Sequence, residues 1–131
     1  MGHEGEITVT VPARPDFLHV VRSVTASVAA RLDLGYDDIE DLRIAVDEAS
    51  AQLLIDSGKA SLLTLTIVPS DDRVEVVVCT DGDVREWPPA DIEGRLIWQV
   101  LSGLTETPRF ERYQGNPAMR LAKTVAPAGS R

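Results

Sequence analysis

The sequence predicts an α/β fold: a two-layer sandwich in which three helices cover one face of a mostly antiparallel, mixed sheet. Three observations predict it. Three stretches carry apolar residues at helical spacing, and five short runs are β-branched or apolar and bounded by turn residues. The elements follow one another in the order β-α-α-β-β-α-β-β, which suits helices gathered on one side of a sheet. The chain has 131 residues, the size of one domain, which is expected to span residues 6–125 between flexible termini at 1–5 and 126–131.

Each element has a local reason. Ile7–Val11 reads Ile-Thr-Val-Thr-Val, a first strand stopped by Pro12 and Pro15. Asp16 is placed to cap a helix from Phe17 to Leu32, whose stripe is Phe17, Val20, Val21, Val24, Val28 and Leu32. After Gly35, Asp37 or Asp38 can cap a second helix from Ile39 to Ile55, burying Leu42, Ala45, Val46, Ala49 and Leu53. Leu62–Val68 and Val74–Cys79 form a hairpin around Pro69-Ser70-Asp71-Asp72. A polar loop, Thr80–Ala90, leads to a third helix over Asp91–Gly103. Two more strands, Arg109–Tyr113 and Met119–Val125, flank a turn at Gln114-Gly115-Asn116-Pro117.

Composition narrows the function classes. The net charge is −8 and the pI about 4.6, so a nucleic-acid surface is not expected. Such acidity suits solubility and a basic protein partner. No apolar stretch approaches a membrane span, and no signal-peptide pattern opens the chain, so a cytoplasmic protein is expected. Cys79 is the one cysteine and excludes an internal disulfide. His3 and His19 lie far from it, and no zinc spacing or catalytic triad can be built.

The second helix carries the most specific string, Asp41-Leu-Arg-Ile-Ala-Val-Asp-Glu48-Ala-Ser-Ala-Gln52. It resembles the N-box helix of the GHKL ATPases, in their RsbW-type anti-sigma factor and serine kinase branch. Glu and Asn stand one turn apart there, on one helix face. The matching residues here are Glu48 and Gln52. The strand and loop ending in Thr80-Asp81-Gly82-Asp83-Val84 are similar to the family's Asp-x-Gly-x-Gly motif, with Thr80 in place of the Asp and Val84 in place of the second Gly. Ile92-Glu93-Gly94-Arg95 matches the phosphate-binding Gly-x-Gly turn, of which only Gly94 remains. Pro117-Ala118 stands near the Thr-rich start of the family's last strand, and the loop between the motifs is short. The first helix also matches, with an Arg at Arg22.

The resemblance implies a histidine-kinase-like ATPase fold with a degenerate ATP site. Glu48 takes the catalytic position, Gln52 the Mg²⁺ position, and Thr80, Asp81, Gly82 and Gly94 the remaining nucleotide contacts. Asp81 is the neighbouring carboxylate that could take the place of the missing Asp, but adjacent strand residues point to opposite faces. Gln52 is one methylene longer than Asn, which displaces its oxygen from a metal octahedron. No cofactor is therefore expected, and Mg²⁺-ATP is expected to bind weakly if at all. The implied function is anti-sigma-factor-like binding of a sigma factor, an anti-anti-sigma antagonist, or both. The alternative is an ATP-dependent serine/threonine kinase that phosphorylates its antagonist. Arg22, carried off the apolar stripe by the helical period, is the expected partner contact, with Trp87 in the loop as another; Trp98 is expected to pack. The resemblance also implies a homodimer through the first strand and first helix.

Overall fold

A computed structural model describes residues 5–82, 84 and 86–125. Of the termini expected to be flexible, only Gly5 falls among them; His3 also lies outside the described residues. The elements are β1 (Ile7–Pro12), α1 (Leu18–Arg31), α2 (Tyr36–Ser57), β2 (Leu62–Pro69), β3 (Arg73–Thr80), α3 (Leu96–Leu104), β4 (Glu106–Tyr113) and β5 (Asn116–Thr124). This is the order read from the sequence.

The sheet runs β1-β2-β3-β5-β4, and every pairing is antiparallel. The mixed character expected of it is therefore corrected. Each connection between sheet neighbours is a hairpin or runs through helices that return the chain antiparallel. Register places Val9, Leu65, Val78, Met119 and Phe110 in one row across all five strands. That row, with Leu63, Ile67, Val76 and Leu121, faces the helices and forms the core.

α2 is the central helix. Its five predicted core residues, Leu42, Ala45, Val46, Ala49 and Leu53, are all fully buried. Truncating Leu42 or Leu53 to Ala should cost about 2–5 kcal/mol, lost transfer energy plus cavity. Lys123, on the same face of β5, reaches up to α2 and pairs with Asp41 at 3.2 Å and Asp38 at 3.4 Å. α1 packs chiefly on α2. Its most buried positions are Val21, Thr25 and Ala29, while Val20, Val24, Val28 and Leu32 are half-buried beside them. Thr25 is tolerated there because its hydroxyl donates to Val21 O at 2.8 Å.

Several boundaries move for local reasons. Asp16 does not cap α1: it sits in a short 3-10 turn, Pro15–Phe17, and accepts both bonds of the Arg14 guanidinium, at 2.8 and 3.2 Å. Neither Asp37 nor Asp38 caps α2, because the helix begins at Tyr36 with Gly35 before it; both carboxylates lie in the first turn, where the helix dipole favours them. The segment expected as one helix from Asp91 splits into a 3-10 turn, Ile92–Gly94, and α3. β4 and β5 run further toward each other than predicted, because Gln114 (φ 52°) and Gly115 (φ 85°) make a two-residue turn with Tyr113 opposite Asn116. β4 also starts earlier, at Glu106, across a register shift before Arg109.

Candidate functional site

α2, the loop after β3 and the start of α3 enclose a cleft of about 330 Å³. Asp56 lines it from the last turns of α2; Val84, Glu86 and Trp87 line it from the loop; Asp91 and Arg95 line it from the 3-10 turn before α3. Elements that carry the motifs border this cleft, but none of Glu48, Gln52, Thr80, Asp81, Gly82 and Gly94 lines it. Most of these residues are engaged within the fold.

Gln52 and Asp56 are one turn apart on α2, and the Gln52 amide donates to Asp56 Oδ2 at 3.1 Å. Glu48 is exposed, lies outside the cleft lining, and makes no hydrogen bond or ion pair among the described residues. By helical geometry Glu48 lies about 40° round the helix from Gln52 and further from Asp56, which turns it away from the cleft.

Thr80 ends β3 on the helix-facing side. It is 1% exposed, and its hydroxyl has no hydrogen-bond partner among the described residues. Asp81 is exposed but occupied: the N–H groups of Ser61 and Leu62 donate to its Oδ1 at 2.7 and 3.0 Å, tying the end of β3 to the start of β2. Its Oδ1 is thus already engaged by two backbone donors. Gly82 is needed for a different neighbour than a ligand. A Cβ there would lie 2.5 Å from Ser57 Cβ and 2.9 Å from Ser57 O, so the loop is pressed against the end of α2. Gly94 is exposed in the 3-10 turn, and a Cβ there would meet nothing within 4 Å.

The loop itself is strapped to the sheet. Trp87 is 6% exposed and its indole N–H donates to Glu111 O at 2.8 Å and to Ala118 O at 3.3 Å. Its ring packs on Phe110, which Trp98 also meets. Arg112 donates to Val84 O and to Gly115 O from β4. Trp87 therefore presents little surface, and Trp98 packs as expected. Arg22, on the outer side of α1, pairs with Asp47 of α2 at 3.5 Å and keeps about a third of its side chain exposed. The helical period carries it off the apolar stripe as expected, and the α1 crossing brings Asp47 opposite it.

Electrostatics follow burial. Among the described residues the cleft holds three carboxylates, Asp56, Glu86 and Asp91, against one guanidinium, Arg95, which is bonded to Asp91 at 3.1 Å. No three His, Cys, Asp or Glu side chains among the described residues come together as metal ligands. Cys79, on the opposite face of the sheet beside Ala118, has its thiol pushed up to about 11 by burial, with the Asp81 charge adding to it. The sequence had not marked Asp56, Glu86, Asp91 or Arg95, because the cleft exists only once α3 docks beside α2.

The single antiparallel sheet under three helices is the α/β sandwich expected from the sequence, and its likeness to a solved RsbW domain fits a GHKL-like fold. The chain's homologues carry a more specific name. It is 36% identical over 80 residues to the serine-protein kinase RsbW of Bacillus subtilis (strain 168), covering 59% of this chain and 50% of that protein. It is 34% identical over 79 residues to the protein of the same name in Bacillus cereus (strain ATCC 10987 / NRS 248), covering 59% and 49%. The chain thus spans about half the length of the curated relatives it matches. The fold matches the solved RsbU and RsbW domains of Rv1364c from Mycobacterium tuberculosis, with a TM-score of 0.68 at 16% identity, over 94% of this chain and 33% of that one. No protein-family model matches the chain. None of its described helices is long and apolar enough to cross a membrane.

Proposed function

We propose that this chain is an anti-sigma-factor-like regulatory protein that binds a sigma factor, an anti-anti-sigma antagonist, or both, with little or no use of ATP. The observation that carries the reading is the internal engagement of the motif positions. Asp81 holds the β2 backbone, Gly82 seats against Ser57, Gln52 bonds Asp56, and Thr80 is sealed in the sheet. Polyphosphate entering the cleft would meet three carboxylates, among the described residues, and one guanidinium already paired. Each missing polar contact removes on the order of 1 kcal/mol or more, so several together remove orders of magnitude in affinity. The residues present do not fit Mg²⁺-ATP.

In this reading Glu48 is a surface carboxylate. Arg22 remains the best-placed partner contact, since a half-exposed Arg–Asp pair can open toward a better carboxylate. Homodimerisation and a cytoplasmic location belong to the same reading. Two experiments test it. Titration calorimetry with Mg²⁺-ATP is expected to give no heat at micromolar concentrations; micromolar binding would favour the kinase alternative, with Glu48 and Gln52 as its divergent pair. Capture of interacting proteins from the source cells, identified by mass spectrometry, is expected to return a sigma factor or an antagonist. Their absence, with other proteins returned, would refute the partner assignment.

A further inference from the structure

On the other flank of α2 lies a groove of about 410 Å³, between the β1–α1 connection and the last turns of the helix. Its walls are Ala13, Pro15, Leu18, Ala51, Leu54 and Ile55, with Gly58 at one end; none carries a titratable group. Ile55 is 72% exposed. Leu62, which pairs with Pro12 one residue before the groove begins, is 47% exposed. A single exposed Ile or Leu is ordinary. Two at the same corner of the molecule, one of them walling an apolar groove, form an anchoring surface of the size that receives bound side chains.

The charges around the groove say what kind of segment fits it. The chain as a whole carries −8. Beside the groove, Arg14 is bonded to Asp16 and Arg22 to Asp47, so these four cancel. Glu48 is left. It precedes Ile55 by two turns and lies about 20° from it around the helix, on the same outer ridge, exposed and without a polar partner among the described residues. Lys59, just past Gly58, is exposed at the opposite end. Asp81, whose carboxylate holds the Ser61 and Leu62 N–H groups, stands at that end too and offsets Lys59, so the unpaired Glu48 leaves the rim acidic and suited to a basic guest.

We propose that this groove is a docking site for a segment of a protein partner, one that seats large apolar side chains against Ile55 and presents a basic residue to Glu48. The apolar contact supplies the affinity. The rim charge sets encounter rate and selectivity more than strength. This rests on the reading of the chain as a partner-binding protein, but adds where and by what chemistry a partner is held.

The test is selection of phage-displayed random dodecapeptides on the immobilised full chain, with counter-selection on Ile55→Glu. Synthetic copies of the selected peptides are then titrated by fluorescence anisotropy. The expected consensus is one or two large apolar residues followed or preceded within about two turns by Lys or Arg. Binding should weaken at least about tenfold in Ile55→Glu and in Ala51→Arg, which fills the groove, and only about two- to threefold in Glu48→Gln. Ile55 is solvent-facing, so its variant should fold; if circular dichroism shows otherwise, Ala51→Arg carries the comparison. A consensus lacking the apolar–basic pairing would overturn the proposal, as would peptides that bind Ile55→Glu as well as wild type. So would sedimentation in which Ile55→Glu turns a dimer into a monomer, because a second copy would then be what covers the groove. No sigma factor or antagonist enters the selection, so its failure leaves the result of partner capture standing.

Discussion

The two flanks of the C-terminal half of α2 differ in what their side chains already do. On one flank a polar cleft is bounded by Asp56, Glu86, Asp91 and Arg95, and the loop over it is tied to β4 and β5 through Trp87 and Arg112. Its polar groups mostly answer one another. On the other flank the groove beside Ile55 has no polar group to satisfy, and its apolar wall is left facing water. The cleft keeps an excess of carboxylate, three against one paired guanidinium among the described residues. An apolar surface without a cover gains from any partner that removes it from water, by roughly 25 cal/mol for each Å² covered. The same helix thus borders a polar cleft on one flank and an uncovered apolar groove on the other.

Gly82 offers the hardest test of the cleft side. In Gly82→Ala the new methyl would have to displace Ser57 Cβ and its carbonyl, so a loss of about 3 kcal/mol is expected, read as a shift of the urea midpoint with the slope unchanged. A variant as stable as wild type would mean that the loop is not pressed onto α2, and the glycine would again be available to a ligand.

Trp87→Phe keeps the ring against Phe110 but removes the indole N–H from Glu111 O and Ala118 O. Losing these two bonds from carbonyls that also face each other in the β4–β5 ladder should cost about 1 kcal/mol in thermal melts. If the cost is absent, the loop is not held as a strap.

Arg22→Ala separates fold from partner. Its pair with Asp47 is half-exposed, so stability should change by about 1 kcal/mol or less. Affinity for a captured partner should fall at least about tenfold by surface plasmon resonance. Unchanged affinity would leave Arg22 a purely intramolecular cation and move the partner contact toward the Ile55 groove.

The smallest effect concerns Cys79. Burial raises its thiol to about 11 from an ordinary 9.0. The folded state therefore holds that proton more tightly than the unfolded state. The resulting stabilisation is full below pH 9 and is lost as pH rises toward 11. The stability gap between wild type and Cys79→Ala should shift against wild type between pH 8 and pH 10.5 in chemical denaturation. A gap that does not move with pH would show the thiol to be hydrated.

Much of this architecture was legible in the chain. Helical spacing alone marks Leu42, Ala45, Val46, Ala49 and Leu53 as one buried face, because a 3.6-residue period needs no knowledge of the neighbour it packs on. The Gln114-Gly115 turn and the β2–β3 hairpin are likewise local, since turn residues constrain backbone angles within four positions. Capping was read less well: Asp16, Asp37 and Asp38 are sound cap residues, but Arg14 and the earlier start at Tyr36 redirect them. What each motif residue does was settled only by the tertiary structure. Gly82 meets Ser57, Asp81 meets the backbone of Ser61 and Leu62, Arg22 meets Asp47, and Trp87 meets Glu111 and Ala118, partners 19 or more residues away in every case. Periodicity tells a side chain which way to face. Only the packing of one element on another decides which distant group it finds there, and whether that group leaves it free for anything else.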